Sequence, residues 1–465
     1  MGKILRCARG ALVSLLGDAG LFAFVSFVFA AFADIGLLTW YQEPLGLISR
    51  YVLTPWGVAL VALRLARAQE RRLGGADTAL LALLVAWIIV PFAARFGVTF
   101  NNISSWYGYT VVFFGLYAML TEEDPARRAR ELDRICALGA ALSLALGCVL
   151  LYAAATAQLL GMQYGGYGFG VTGGMLYAGK HYNLTGMILV SLAMLCLTGA
   201  ARRRHPLAKA AHLLPFAMMA VCVVLTQSRT ARLSLLLGLA VCAYGALCTR
   251  LSGRAALRHG AGIACALAVL VLGYVGADAM TRVAVAHYNG GDALVASAAA
   301  EEEEAPSKPT DGSVVREGID ATFSERTTIW KNLFALWRGN PKHLLIGNGV
   351  GRTGSRIVEG TVHEESGAVA VHNTYLQFIA DFGLIGFALL AAFFAVIAGP
   401  VLRAFFDRGA GRFAGAHALS AMVVAALATG MMESAPLGAM TPMNLMLYLA
   451  LAMLVGAGRA DITGK

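Results

Sequence analysis

The sequence predicts an all-α polytopic membrane protein, with about 12 transmembrane helices and one large loop outside the cytoplasm. Three observations carry that reading. Of 465 residues, 58% are hydrophobic and 14% are charged, against about 25% charged in a soluble domain. Apolar runs long enough to cross a bilayer recur from one end of the chain to the other. The polar segments between them alternate between strongly and weakly cationic.

In chain order, the apolar runs place spans at 17–38, 51–67, 77–96, 106–120, 135–159, 183–200, 213–228, 230–248, 261–278, 373–397, 414–432 and 442–458. The polar segments around 1–10, 64–72, 121–134, 201–212, 249–260, 399–413 and 459–465 hold most of the 37 Lys and Arg. The short connections on the other side hold Arg50, Arg95, Lys180, Arg229 and Arg232. By the positive-inside rule the first set is cytoplasmic, and both termini lie with it. Runs such as Arg71-Arg72 and Arg202-Arg203-Arg204 then read as topology signals. The same rule accounts for the net charge of +10 without a nucleic-acid partner. The first apolar run follows Lys3, Arg6 and Arg9 and reads as a retained span. Three units result: an N-terminal bundle of about nine spans over 1–278, a large external loop over 279–371, and about three C-terminal spans over 372–465.

The loop breaks the pattern of short connections. Glu301 to Glu304, Pro306, Pro309 and Gly312 read as a solvated, mobile insert. Thr322 to Glu325 fits a capping box. Trp330, Leu333, Phe334 and Trp337 follow at helical spacing, up to Gly339-Asn340-Pro341. This is an amphipathic helix whose two tryptophans would suit a membrane interface. The eight cysteines all lie in or beside apolar spans and read as small packing residues, with no disulfide framework or CxxC site.

Four constellations could carry chemistry at the external ends of spans, where charged groups are costly and are functional candidates. Thr226-Gln227-Ser228-Arg229-Thr230-Ala231-Arg232 forms a tight turn, and Arg229 and Arg232, three apart, share a helix face. Two guanidiniums beside hydroxyls suit a phosphate or pyrophosphate; the alternative is snorkelling to lipid headgroups. His372-Asn373-Thr374-Tyr375-Leu376 opens the span after the loop. The helix dipole there favours a neutral imidazole able to act as a general base, or a histidine that merely satisfies the helix start. Lys180, His181, Tyr182 and Asn183 offer cationic, aromatic and amide groups for a phosphate or sugar, or form an ordinary interface belt. In the loop, Arg326 starts the amphipathic helix, and Gly347-Asn348-Gly349-Val350-Gly351-Arg352 is either a flexible turn or a turn that aims backbone N–H groups at an anion. There is no Walker A motif, HExxH, GxSxG or Asp-x-Asp. External His287, His343 and His363 lack metal-ligand spacing. No cofactor or metal is implied.

His372-Asn373-Thr374-Tyr375-Leu376, followed by Gly383-x-x-Gly386 and preceded by a long external loop, resembles the O-antigen ligase and O-antigen/exopolysaccharide polymerase superfamily. The Asn183 span start, the Ser228-Arg229 turn, the Arg326–Trp330 helix start and the Gly347-x-Gly349 turn resemble it in the same order. The motifs cover roughly residues 175–390. The resemblance implies a GT-C-like fold and a metal-independent inverting glycosyltransferase of the bacterial inner membrane, with its site on the periplasmic face. The implied donor is a glycan on undecaprenyl pyrophosphate. The implied acceptor is a sugar of another lipid-linked repeat or lipid A-core, and in some relatives protein Ser or Thr. Membrane lipids and other polysaccharide-assembly proteins are further partners. Carried over by position, His372 activates the acceptor or helps orient it and Arg229 holds the pyrophosphate, with Arg326, Arg232, Lys180, Tyr182, Asn183, Asn373, Tyr375 and Arg352 contacting pyrophosphate or glycan. Two rivals remain open: a transporter or flippase of polysaccharide precursors, for which Asp18, Asp34 and Glu433 are the nearest ionisable groups, and a membrane scaffold.

Overall fold

The computed structural model describes residues 17–35, 49–69, 124–156, 159–164, 167–172, 175–179, 182–300, 319–348, 371–407, 413–433 and 441–460. Their α-helices, in chain order, are α1 (Ala19–Ile35), α2 (Thr54–Gln69, entered through a π-helical turn at Ser49–Leu53), α3 (Pro125–Thr156), α4 (Tyr182–Arg202), α5 (Pro206–Leu225), α6 (Arg229–Arg250), α7 (Ala255–Ala300), α8 (Ile319–Gly339), α9 (Pro341–Ile346), α10 (Thr374–Phe406), α11 (Ala416–Met432) and α12 (Pro442–Ala460). Seven of them, α3 to α7, α10 and α12, are long and apolar enough to cross a membrane. Shorter apolar helices at Ala19–Ala31, Tyr51–Leu63 and Ala416–Met432 fall on three more of the expected spans. The spans expected at 77–96 and 106–120 lie outside the described residues.

Burial divides the helices into central and peripheral. The apolar window is 83% buried in α4 and 89% buried in α12, but 11% buried in α7. Thus α4 and α12 form the centre, and α7 leans its Leu267, Val271, Leu272 and Val275 outward, where hydrocarbon is the solvent that suits them. One apolar cluster joins Phe22 and Phe27 of α1, Leu189 to Leu195 of α4, Phe378 and Phe382 of α10, and Leu445 to Val455 of α12. Helices from both ends of the chain therefore share one core.

The cationic end of the bundle is held by ion pairs as well as packing. Arg202 Nε lies 2.9 Å from Asp133 Oδ1, Arg127 Nε lies 3.0 Å from Glu131 Oε1, and Arg134 pairs with Asp18. Asp18 also caps α1, accepting from Leu21 N at 2.9 Å. Arg202, read above as a topology signal, is also a structural tie between α4 and α3.

The structure departs from the sequence expectations in three places. The helix expected at 261–278 runs from Ala255 to Ala300. At 1.5 Å per residue that is about 69 Å, more than twice the hydrocarbon thickness. The Ala- and Val-rich stretch after 278 continues the helix despite Gly290-Gly291. Three strands, β1 (Leu159–Tyr164), β2 (Tyr167–Thr172) and β3 (Met175–Gly179), pair antiparallel as a meander in the order β1-β2-β3. Leu176 of β3 is fully buried in the main core, so the meander is anchored where it leads into α4. Third, α8 begins at Ile319, so its start is not set by a cap at Thr322. No Gly or Pro between Ile319 and Thr322 forces a later start. The acidic stretch Glu301 to Glu304 lies outside the described residues.

Candidate functional site

Five helix ends meet away from the cationic end of the bundle: the start of α4, the end of α5 and start of α6 at their shared turn, the start of α10 and the end of α11. A sixth helix, α8, reaches them through Arg326 and Trp330. Each end is built by local chemistry. In the α5–α6 turn, Ser228 is the N-cap of α6, its hydroxyl accepting from Ala231 N at 3.2 Å. Gly186 of α4 faces this turn; a Cβ there would meet Ala231 Cβ and press on Ser228. Its bare backbone lets α4 and α6 approach closely enough for Ser228 Oγ to donate to Asn183 Oδ1 at 2.8 Å.

The start of α10 is more tightly determined. Asn373 is the N-cap, and its Oδ1 accepts from Tyr375 N and Leu376 N, each at 3.0 Å. Its Nδ2 donates to Met431 O at 3.1 Å. On the other flank, Val371 is fully buried, its N–H donates to Gln377 Oε1 at 3.1 Å, and its C=O accepts from Trp330 Nε1 at 2.9 Å. His372 sits between these fixed neighbours with φ +52. A non-glycine residue in that region persists only where its surroundings hold it there, and such positions cluster at functional sites.

Trp330 and Trp337 were expected at a membrane interface; instead they turn into the protein. Leu333 and Trp337 pack with Val371 and Ala380 in a small apolar cluster beside Trp330. Val371 O gives the Trp330 indole N–H a partner, which an apolar surface would not. In this way α8 secures the backbone just before His372.

The charged groups converge on Glu433, the C-cap residue of α11. Its Oε1 accepts from Asn183 Nδ2 at 2.8 Å and lies 3.4 Å from Arg326 Nη2. Its Oε2 lies 3.7 Å from His372 Nδ1. Glu433 is 9% exposed at its side chain, Arg326 13% and His372 40%. The carboxylate is thus the most withdrawn of the three, the guanidinium keeps a small open share, and the imidazole is the most open to an incoming molecule. A buried carboxylate without a partner would cost several kcal/mol, so the Arg326 and Asn183 contacts are conditions for its burial. Arg229 follows Ser228 directly, opens α6 and is exposed.

The predicted residues therefore divide. His372, Arg326 and Asn183 share one carboxylate, and Arg229 adjoins them through Ser228. Arg232 lies within electrostatic reach of Asp278 and Tyr274, along the seam between α6 and α7. Asn373 and Tyr375, expected to contact substrate, are engaged inside the protein, Asn373 as the cap and Tyr375 by donating its hydroxyl to Leu427 O at 2.9 Å. Asn373, not His372, satisfies the helix start, so the imidazole is spared that duty. Lys180, His181 and Arg352 lie outside the described residues, and of Tyr182 only the backbone is described. The Gly347 turn is not an anion cradle at its first two N–H groups: Gly347 N donates to His343 O at 3.1 Å and Asn348 N to Ala380 O at 2.8 Å.

Residues 214–391 match a protein family described as O-antigen ligase. This segment is similar to the O-antigen ligase family. The match supports the O-antigen ligase and polymerase superfamily for the chain. The matched segment runs from within α5 to within α10 and contains Ser228, Arg229, Arg326 and His372. Asn183 and Glu433, which complete the cluster, lie outside it. No curated protein matches the chain. In the sequence alone Glu433 reads only as an ionisable group that a transporter could use. The available signal was a lone carboxylate closing an apolar helix, a position that is costly without a partner. The sequence did not show that its partners would come from α4, α8 and α10.

Proposed function

We propose that this protein moves a glycan from an undecaprenyl-pyrophosphate-linked donor to an acceptor hydroxyl, at the periplasmic face of the bacterial inner membrane. The observation that carries the reading is the meeting of Arg326 and His372, both inside the segment similar to O-antigen ligase, at the buried carboxylate of Glu433 just outside it. The distribution of Lys and Arg supports the external position of this end and cytoplasmic termini.

In the proposed reaction the acceptor oxygen attacks the anomeric carbon. The bond from that carbon to the pyrophosphate oxygen breaks, and the polyprenyl pyrophosphate leaves with the electron pair. A single displacement inverts the anomeric centre. The proton of the attacking hydroxyl passes to His372, whose imidazole is the exposed member of the cluster. Arg326 and Arg229 neutralise the charge that develops on the leaving pyrophosphate, the role for which planar, always-charged guanidiniums are suited. Asn183 and Ser228 join α4 to α6 beneath them. A donor whose lipid tail stays in the bilayer presents its pyrophosphate near helix ends, which suits a site built from such ends.

The acceptor is a sugar of a second lipid-linked repeat in a polymerase and lipid A-core in a ligase. Complementation separates the two. The chain is expressed in one strain lacking its O-antigen ligase and in another lacking its O-antigen polymerase, each chosen to make a donor glycan that the chain accepts. Polymerase action restores the ladder of repeat lengths, and ligase action restores capping of lipid A-core. Restoration of neither, with protein present in the membrane, would falsify the transferase reading.

A further inference from the structure

We propose that Glu433 is the positioning residue of this site, fixing the base and the cationic clamp through the two oxygens of one carboxylate. The inference rests on the roles proposed above for His372 and Arg326, and it adds a residue from outside the matched segment.

Glu433 is unusually well anchored for a residue at a helix end. Its backbone N–H donates to Thr429 O at 3.0 Å, and its C=O accepts from the Thr374 hydroxyl at 2.7 Å. The second bond ties the end of α11 to the first turn of α10, one residue beyond the Asn373 cap. Asn373 Nδ2 adds a parallel tie to Met431 O at 3.1 Å. The Cα–Cβ direction of Glu433 is therefore set by the same helix ends that set His372. From this anchor Oε1 reaches Asn183 and Arg326, and Oε2 faces His372 Nδ1.

The imidazole has a matching vacancy. His372 Nδ1 is buried and has no hydrogen-bond partner, and Glu433 Oε2 faces it at 3.7 Å. That separation is beyond hydrogen-bond length, so the free protein holds the pair in register without closing it. Catalytic hydrogen bonds are often long before substrate arrives and shorten in the complex. A shift of about 0.5–1 Å would make Nδ1–H donate to the carboxylate. The proton then resides on Nδ1, and the lone pair of Nε2 is left for the acceptor hydroxyl. When the imidazole takes the acceptor proton, the facing carboxylate stabilises the resulting positive charge. Glu433 touches neither glycan nor pyrophosphate; it acts through His372 and Arg326.

A double-mutant cycle on the full-length protein tests this. Transfer from a polyprenyl-pyrophosphate-linked glycan, in detergent micelles, is measured for Glu433→Gln, His372→Ala and the double variant, with residual rates read over long incubations. Thermal melting checks folding. Glu433→Gln is expected to lower transfer roughly 10- to 100-fold, the scale for removing a partner that orients a metal-bound histidine. The same change is expected to cost clearly less once His372 is already Ala, because the share of the loss that runs through the imidazole is then already gone and only the share through Arg326 remains. Glu433→Asp is expected to recover part of the loss. If Glu433→Gln does not accumulate as folded protein, the cycle is run with Glu433→Asp, which keeps the charge but withdraws it by one methylene. Equal losses in the two backgrounds, for whichever variant folds, overturn the positioning role, as does wild-type transfer by Glu433→Gln. A fully active His372→Ala overturns the base assignment itself, a result distinct from failure of Glu433 alone.

Discussion

Gly347 and Gly383 reverse the backbone where two segments touch, whereas His372 does so facing Glu433 and Gln227 does so next to Ser228, which bonds Asn183. All four hold positive φ, at 80°, 72°, 54° and 52°. The two glycines also have ψ near 180°, at 177° and −178°, a region essentially closed to any residue with a Cβ. Each lies against the other's segment. A Cβ on Gly347 would strike the Asp381 carbonyl, and one on Gly383 would strike that of Leu345. Glycine is there because nothing larger fits. At Gln227 and His372 the φ would suit glycine equally well, yet the chain keeps a large polar side chain. A left-handed residue with a Cβ costs about 1–2 kcal/mol. Sites that accept this cost are commonly those where the side chain itself is needed.

The sharpest way to break the comparison is at His372. His372→Ala and His372→Gly are both expected to lower transfer roughly 10²–10⁴-fold, about 3–5 kcal/mol of barrier, with normal membrane levels. The glycine variant matters because it relieves the backbone. If His372 served only to make the corner, His372→Gly would retain activity and be more stable. Purified protein assayed beside a thermal melt distinguishes the cases, and an active glycine variant ends the base assignment.

Gly383→Ala comes next. Here the expected loss is in folding rather than chemistry: about 2–4 kcal/mol, from a forbidden backbone region and an overpacked contact combined. It should appear as a lower melting temperature in detergent and reduced yield, with transfer per folded molecule less affected. A variant as stable as wild type would mean that α10 can straighten through Gly383 and that the contact with the α9 turn is dispensable.

How far the sequence foretold these features depends on what each one needs. Spans are a property of long apolar runs, so ten of the expected spans fall on described helices. His372, Arg326, Asn183 and Arg229 could be read because they sit in recognisable local wording at span ends. The β-meander could not. Its stretch Gly165-Gly166-Tyr167-Gly168-Phe169-Gly170 has the alternation of a strand, but glycine in every second place gives little strand propensity. Thr322-Phe323-Ser324-Glu325 had the spelling of a cap and was not one, because a cap also requires the preceding backbone to leave the helix, and Ile319 to Ala321 stay in it. Glu433 shows the general limit. Its significance lies in partners 250, 107 and 61 positions away in the chain, and only the packed helix ends reveal them.

Gln227 carries the smallest expected effect and sharpens the comparison most finely. Replacing it with glycine removes the left-handed cost of about 1–2 kcal/mol, but it also frees the unfolded chain, which costs about 0.5–1 kcal/mol. The two nearly offset, so Gln227→Gly is expected to melt close to wild type. Its neighbours keep the corner in either case: Gln227 N donates to Val224 O at 3.1 Å and Ser228 N to Thr226 Oγ1 at 3.2 Å. Transfer is expected to fall only a few-fold, below the tenfold that about 1.4 kcal/mol of barrier represents. A loss of that size in an undisturbed fold would assign the amide to the reacting groups beside Arg229. Wild-type transfer would move Gln227 to the side of the glycines, as a corner whose shape is used and whose side chain is not.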